Sequence, residues 1–435
     1  MRRLSLTTVT GIMVAILVAA GFGAYGLIKP GSSTKLATGT IYVEKETGAR
    51  FVLNGDTLHP TLNYTSAVLA AVSGEQAKQV PIKTVSASTL THKPHGSTIG
   101  IPGVPDSLPR NTKRLVRSPW TVCSQVVVKQ IGSNVARVTV DVGGTAPTAG
   151  LSPDDGVIVA SPHGGDQYLL WHGQRLKVGS PLILSALNLQ SSQPLTVGSA
   201  FMNALPEGPT LTTPSVPSQG SSGPPVGNTP TLVGQLLRTT GTDDYRLVLG
   251  DGFVGVTPVE AALLQTLSLD GQRRDPIPIS QAVAIGLRDS SLGDDVKKQF
   301  ADLPGTALPQ VPDGPAQAGG ICVVYRENTA PTLAVPAGSA PEPADISDSA
   351  QSEHGKADEV RVPAERAALV RGDNDSATRF VIAAPGSRFA ASPLALGGLG
   401  YSSVTPVTLP THLLLLIPNG PALDTEAARR SISGS

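Results

Sequence analysis

Leu236-Leu237-Arg238-Thr239-Thr240-Gly241-Thr242-Asp243-Asp244-Tyr245-Arg246-Leu247-Val248-Leu249-Gly250-Asp251-Gly252, continued by Thr257-Pro258-Val259-Glu260-Ala261-Ala262-Leu263-Leu264, is the stretch that decides the fold. Two short apolar runs flank a polar turn, and Asp251-Gly252 supplies a residue pair that tolerates positive φ. Thr257 stands where an N-cap belongs, with Pro258 at the first helical position and Glu260 behind it. The stretch predicts a β-hairpin followed by a short helix. Three more stretches share the pattern. The first runs Ile41-Tyr42-Val43, Phe51-Val52-Leu53, the turn Asn54-Gly55-Asp56, then apolar residues from Leu62 to Val72. The second runs Val157-Ile158-Val159, Tyr168-Leu169-Leu170-Trp171, Gly173 and Leu176, then Pro181 to Leu189. The fourth runs Leu369-Val370, Phe380-Val381-Ile382, Pro385-Gly386, then Pro393 to Leu399. Their uneven spacing argues against a closed propeller or solenoid. A hairpin plus a helix is also a generic combination, so the pattern alone leaves the repeat open.

Composition narrows the class. The 435 residues include 33 Lys+Arg and 33 Asp+Glu, and only 15% are charged, against roughly 25% in an ordinary globular protein. Gly (47) and Pro (38) are abundant and penalise helix interiors, which excludes a coiled coil and a mostly helical enzyme. The balanced charge, without a basic cluster, leaves nothing to neutralise a phosphate backbone, so no nucleic-acid partner is expected.

The N-terminus sets the compartment. Arg2-Arg3 precede an uncharged run from Leu4 to Ile28, which Lys29-Pro30 ends. As a helix, Val9 to Ile28 would span about 30 Å, the thickness of a hydrocarbon core. The arginine pair then holds residues 1–8 in the cytoplasm and sends the C-terminal bulk outward, as a single-pass plasma-membrane protein. A cleaved signal peptide is the alternative, with Val18-Ala19-Ala20 as the cleavage site; the apolar run continuing past Ala20 favours the anchor. Leu413 to Ile417, bracketed by Pro410 and Pro418, is too short to span and reads as a buried strand.

Cys123 and Cys322 are the only cysteines. Outside a membrane a lone pair forms a disulfide, and both lie in strand-like contexts, Trp120-Thr121-Val122-Cys123 and Ile321-Cys322-Val323-Val324-Tyr325. A reactive thiol, the alternative, lacks a His or basic residue close by in sequence. A bridge would draw both segments into one central domain. Residues 206–230 and 329–362 read as linkers, extended or disordered, and the tail from Asp424 as frayed.

The chain offers no P-loop, no G-x-S-x-G elbow and no H-E-x-x-H. His92 and His95 are separated by Pro94 and make a weak metal pair. Asp154-Asp155, Asp243-Asp244 and Asp294-Asp295 read as turn and cap residues. Arg371-Gly372-Asp373 reads as a turn, and His59 and Trp171-His172 as ordinary positions. No catalytic, cofactor-binding or metal residue is assigned.

Several segments carry a resemblance: Ala20-Gly21-Phe22-Gly23-Ala24-Tyr25-Gly26-Leu27-Ile28-Lys29-Pro30, Val43-Glu44-Lys45-Glu46-Thr47-Gly48-Ala49-Arg50-Phe51, Leu58-His59-Pro60-Thr61-Leu62-Asn63-Tyr64-Thr65-Ser66-Ala67, Gly100-Ile101-Pro102-Gly103-Val104-Pro105-Asp106-Ser107-Leu108-Pro109, Pro119-Trp120-Thr121-Val122-Cys123-Ser124 and Pro418-Asn419-Gly420-Pro421-Ala422-Leu423-Asp424. Together they resemble EccB, the single-span core component of the type VII (ESX) secretion system. The resemblance implies a β-rich α+β protein: one N-terminal transmembrane helix, then an elongated extracytoplasmic region. That region would hold four small hairpin-plus-helix repeats around a central domain closed by a Cys123–Cys322 bridge. The implied division is a cytoplasmic tip (1–8), the membrane helix (9–28) and the first repeat (39–89). The central domain opens at 90–150, ahead of the second repeat (151–205) and a linker (206–230). The third repeat (231–304) leads into the second part of the central domain (305–328). A linker (329–362), the fourth repeat (363–423) and the tail (424–435) complete it.

Implied partners are the EccC motor ATPase, EccD, EccE, a mycosin protease and further copies of the chain in dimers or larger rings. The family carries a longer cytoplasmic segment before the span than residues 1–8, so contacts made there are not expected here unless translation starts upstream. ATP hydrolysis is attributed to the family, and ATP enters only on that attribution. The residues point instead to a structural subunit of the export complex. A nucleotide hydrolase with a non-standard site and a peptidoglycan-binding anchor are the other readings.

Overall fold

A computed structural model describes residues 12–18, 35–74, 78–127, 135–144, 149–161, 165–336, 355–375 and 377–432. The chain divides into two compact units, one of Met1–Arg110, Ala391–Ser403 and Pro421–Ser435, the other of Asn111–Ala390 and Val404–Gly420.

In the first unit, strands Ile41–Glu44, Arg50–Asn54 and Thr57–Pro60 form an antiparallel meander, and Ile82–Val85 adds to its first strand in parallel. Between them lies the helix Tyr64–Ala71, buried at every position but Tyr64. Asn63 caps it by accepting from Ser66 N at 2.7 Å, the role a short polar side chain plays at a helix start. The segment 100–109 wraps the same end: Ile101 N donates to Ser66 Oγ and Thr65 N to the Asp106 carbonyl, each at 2.9 Å. Gly100 is required there, with φ +146° and room for no Cβ beside Leu62. The tail expected to fray is instead a helix, Thr425–Ala428, capped by Asp424. It packs on Tyr64–Ala71, and Arg429 Nε reaches the Ala70 carbonyl at 3.1 Å.

The second unit holds three more sheets of the same order, third–second–first–fourth strand. They are Val157–Ala160, Gln167–Trp171, Gln174–Lys177 and Leu195–Thr196; Leu236–Thr239, Tyr245–Val248, Phe253–Val256 and Ile277–Ile279; and Ala367–Gly372, Arg379–Ala383, Ser387–Ala391 and Val407–Leu409. In every sheet the fourth strand runs parallel to the first. A helix must therefore cross between strands three and four; Pro181–Ala186 and Pro258–Leu264 do so here, each with proline in its first turn. The hairpin-plus-helix reading thus missed two strands of each repeat. The turn joining strands two and three of the second repeat is His172-Gly173, with φ 47° and 72°. Two positive values define the type I′ turn that matches strand twist, so His172 is a turn residue rather than an ordinary position.

The third strand of each repeat is closed by one more segment. Leu58 donates to the Pro94 carbonyl (2.8 Å) and accepts from Gly96 N (3.0 Å). Arg175 does the same with Pro206 and Gly208 (3.0 and 2.9 Å), and Arg388 with Pro418 and Gly420 (2.9 Å each). All three closures share a Pro-x-Gly sequence followed, three residues on, by Ile99, Leu211 or Leu423, all buried. The third repeat departs: Phe253 pairs with Arg288 and Ser290.

This closure explains residues 206–230, which are not the free linker expected. Their start closes the second repeat, Leu211 and Val216 join the core, and bridges Ser222–Leu232 and Val226–Thr229 fold the remainder back. Val226 there packs with Leu237, Val248 and Phe253 of the third sheet. Residues 413–417 likewise are not a strand. Pro410 starts the helix Thr411–Leu415, with its carbonyl accepting from Leu414 N at 3.2 Å, and Leu413, Leu414, Leu416 and Ile417 are buried.

The second repeat has core on both sheet faces. Val157, Val159 and Leu170 pack with the central and fourth sheets, and Ile158, Leu169, Trp171 and Leu176 with the third repeat. That is why Val157-Ile158-Val159 and Leu169-Leu170-Trp171 are apolar without alternation.

Candidate functional site: the stapled central sheet

The central sheet has six strands in the order Glu359–Arg361, Val135–Val142, Trp120–Val127, Gly320–Tyr325, Thr332–Val335 and Ala149–Gly150. Trp120–Val127 and Gly320–Tyr325 pair antiparallel with Cys123 directly opposite Cys322, and the two are joined as a disulfide with Cα atoms 4.0 Å apart. Side chains alternate across a strand, so the register sorts the sheet into two faces. Trp120, Val122, Val138, Val140, Ile321, Val323 and Tyr325 point to the large core. The disulfide lies on the other face, where Cys322, Val324 and Ala334 are buried and Cys123 is half-buried.

Further along this second face the sheet turns polar. Glu359 opposes Thr139 and Arg361 opposes Asp141 in register. Glu359 accepts from Arg137 Nη2 at 2.9 Å and from Arg361 Nε at 2.8 Å. The Arg361 hydrogen bond holds its carboxyl below the usual glutamate value. Asp141 goes the other way, raised by burial against the pull of Arg361. The two charged pairs balance, and the arrangement welds the edge strand to the sheet.

The other residues singled out in the sequence are dispersed. His95 packs on the Phe51 ring, centroids 5.9 Å apart, while His92 faces Thr91. Among the described residues no group of three or more His, Cys, Asp or Glu is placed to hold a metal ion. His59 Nδ1 lies 2.9 Å from the Ser97 carbonyl. Asp154 approaches His172 at 3.4 Å, and Asp155 accepts from Ser152 N. Asp243 pairs with Arg238, Asp244 with Thr239, and Asp295 with Lys298. In Arg371-Gly372-Asp373 the arginine meets Thr408, and Asp373 accepts from both N and Oγ1 of Thr411, starting that helix. Of the run from Val9 to Ile28 only residues 12–18 are described. They are helical, with Ile12, Met13, Val14, Ile16, Leu17 and Val18 all more than half exposed. Both boundary residues lie outside the described residues, and no helix among the described residues is long and apolar enough to cross a membrane.

The family model for the type VII secretion system ESX-1 transport TM domain B, EccB, matches residues 1–434. The chain belongs to the EccB family. The ESX-3 secretion system ATPase EccB3 of Mycolicibacterium smegmatis is 31% identical over 286 residues, covering 63% of this chain and 53% of that protein. The ESX-5 secretion system ATPase EccB5 of Mycobacterium tuberculosis is 30% identical over 319 residues, covering 69% and 61%. This EccB chain thus matches about half the length of such relatives. Among solved structures, a chain of the intact ESX-5 inner membrane complex is 26% identical with a TM-score of 0.68, covering 100% of this chain and 89% of that one. A chain of an EccB3 dimer from the ESX-3 core complex, 24% identical with a TM-score of 0.68, shares the fold over 89% of this chain and 99% of that one.

Four of the segments that carried the EccB resemblance have structural work in this chain, while residues 20–30 lie outside the described residues. Residues 58–67 contain the third strand, the Asn63 cap and the helix start of the first repeat. Residues 100–109 wrap that helix, 119–124 lead into the stapled strand, and Pro418-Asn419-Gly420 closes the fourth repeat. The closures themselves were missed, although the spaced Pro-x-Gly triplets 94–96, 206–208 and 418–420 carry a readable signal.

Proposed function

We propose that this chain is a structural, membrane-anchored subunit of a type VII secretion complex, assembling the extracytoplasmic part of the apparatus for protein export. The observation that carries the reading is the correspondence of the whole chain to a subunit of the ESX-5 inner membrane complex. The apolar run from Val9 to Ile28 is the single-pass anchor in this reading. The exposed apolar side chains of residues 12–18 support it, because an unburied helix of this composition is stable in a hydrocarbon phase. The repeats and the discontinuous central domain, whose strands Thr332–Val335 and Glu359–Arg361 fall within the stretch 329–362 expected to be a linker, stand on the outer side in this reading, where a disulfide persists. EccC, EccD, EccE, a mycosin and a second copy of the chain are the partners in this proposal.

The experiment is a mild-detergent pull-down of the tagged full chain followed by mass spectrometry. Recovery of the other Ecc components supports the reading, and recovery of the chain alone from a secreting cell overturns it. The word ATPase in the relatives' names supplies a second reading. ATP turnover by the purified chain that disappears on mutating one acidic residue would favour it.

A further inference from the structure

The strands Ile41–Glu44, Arg50–Asn54, Thr57–Pro60 and Ile82–Val85 give the sheet of the first repeat two faces. On one of them Tyr42, Leu53, Leu58 and Val85 form a small cluster with Leu90, and Leu36 packs against it. The helix Tyr64–Ala71 contributes nothing to that cluster and packs on strands one and two, so it covers the other face. The helix Thr425–Ala428 packs on Tyr64–Ala71 in turn.

The chain enters the repeat on the first of these faces. Leu36 sits in its cluster, and the next residue is pinned beside it. Tyr42 Oη accepts from Ala37 N at 2.7 Å and donates to the Ala37 carbonyl at 3.1 Å. The short helix Ala87–Leu90 covers the same face through Leu90, leaving Ser88, Thr91 and His92 exposed. Lys83 stands opposite Tyr42 in register and so shares its face. Lys35 and Lys83 are exposed and have no ion pair among the described residues, whereas Lys93 is paired with Asp56. The carboxylates on this side are engaged: Glu46 accepts from Ala87 N at 2.9 Å, and Glu44 from Thr47 Oγ1.

Leu36 is eight residues beyond Ile28. An extended chain covers at most about 3.5 Å per residue, so the face that Leu36 plugs lies within about 28 Å of the end of the apolar run. Turning the unit over would interpose two packed helix layers of about 10 Å each, and the same eight residues would have to pass round them. Resting on the reading of Val9 to Ile28 as the anchor, we propose that the first repeat is seated on the bilayer surface by this face. The helix Ala87–Leu90 and the side chains of Lys35 and Lys83 then lie against the lipid phosphates, and Tyr64–Ala71 looks away from the membrane. A tether this short holds the face near the surface at a high effective concentration, and the two unpaired ammonium groups donate to phosphodiester oxygens.

The test uses the full chain in nanodiscs of phosphatidylglycerol and phosphatidylcholine that include a lipid spin-labelled on its headgroup. Cys123 and Cys322 are joined and are the only cysteines, so one added thiol takes one fluorophore. Quenching of a fluorophore on Ser88→Cys should exceed several-fold that on Glu426→Cys, an exposed position of the helix on the far side. Adding Lys35→Gln and Lys83→Gln should lower the quenching on Ser88→Cys by about twofold or more. Equal quenching at the two positions, in a chain that copurifies with the nanodiscs, overturns the seating and leaves the anchor intact. Quenching indifferent to the lysine changes overturns their contact with the phosphates. A chain that elutes free of the nanodiscs overturns the anchor reading, and the seating with it.

Discussion

A Cβ placed on Gly420 would stand 2.2 Å from a ring carbon of Phe389, whose side chain is fully buried. The same addition at Gly208 meets the amide oxygen of Gln174 at 2.6 Å, the far end of a side chain that can swing away. Gly420→Ala should therefore cost about 1–3 kcal/mol, the usual range for overpacking, and Gly208→Ala distinctly less. Urea unfolding of the two variants side by side checks the order; equal midpoints would break the steric account. The third repeat has Ser290 where the others have this glycine, and a carboxylate has taken over the closure. Asp251 accepts from the hydroxyls of Ser290 and Ser291 and from Ser291 N, and the two hydroxyl bonds hold its pKa down to about 2. An unfolded aspartate titrates near 4, so this closure contributes stability above that pH and loses it as pH falls from about 4 toward 2. Asp251→Asn should weaken the acid dependence of unfolding in that window. An acid titration followed by circular dichroism that is superimposable for wild type and variant would count against it.

Among the elements, the helix Pro258–Leu264 was legible residue by residue. Thr257 accepts from Glu260 N, Glu260 reaches back to Thr257 N at 2.8 Å, and Pro258 opens the first turn. Thr257→Ala should lower stability by about 1 kcal/mol, recovered in Thr257→Ser; a denaturant midpoint unmoved by the alanine would show the cap to be idle. Strands one and two of each repeat were equally plain, because both carry apolar residues on buried faces. Strands three and four were not. Gln174–Lys177 buries only Leu176, and Leu195–Thr196 is two residues long, so neither has a periodicity to detect. Leu413 to Ile417 was misread for the opposite reason. A short apolar run between prolines has no period to separate strand from helix, and here Asp373, some forty positions earlier, helps to settle it by holding Thr411. The same contact shows why Arg371-Gly372-Asp373 is a folding element: its carboxylate is occupied within the domain.

At the scale of the molecule, the second and third repeats lie in sequence between two strands that pair with each other. The residues that join them, Cys123 and Cys322, are 199 positions apart. Strand pairing over such a separation forfeits the freedom of a long loop before any contact rewards it. The covalent link acts on the unfolded chain rather than on the folded sheet. In the chain-entropy account a bridge closing about 200 residues contributes on the order of 5 kcal/mol. The paired variant Cys123→Ser with Cys322→Ser leaves no lone thiol and should lose a stabilisation of that size. It should also unfold the central sheet together with the second and fourth sheets, since their apolar faces share one core. The check is guanidinium unfolding in non-reducing buffer, followed by near-ultraviolet signals from Trp120 and Trp171, which sit in the central sheet and the second repeat. Wild-type midpoints in the double variant would mean that packing alone holds the central domain, and separate transitions for the two tryptophans would mean that the shared core does not couple the sheets.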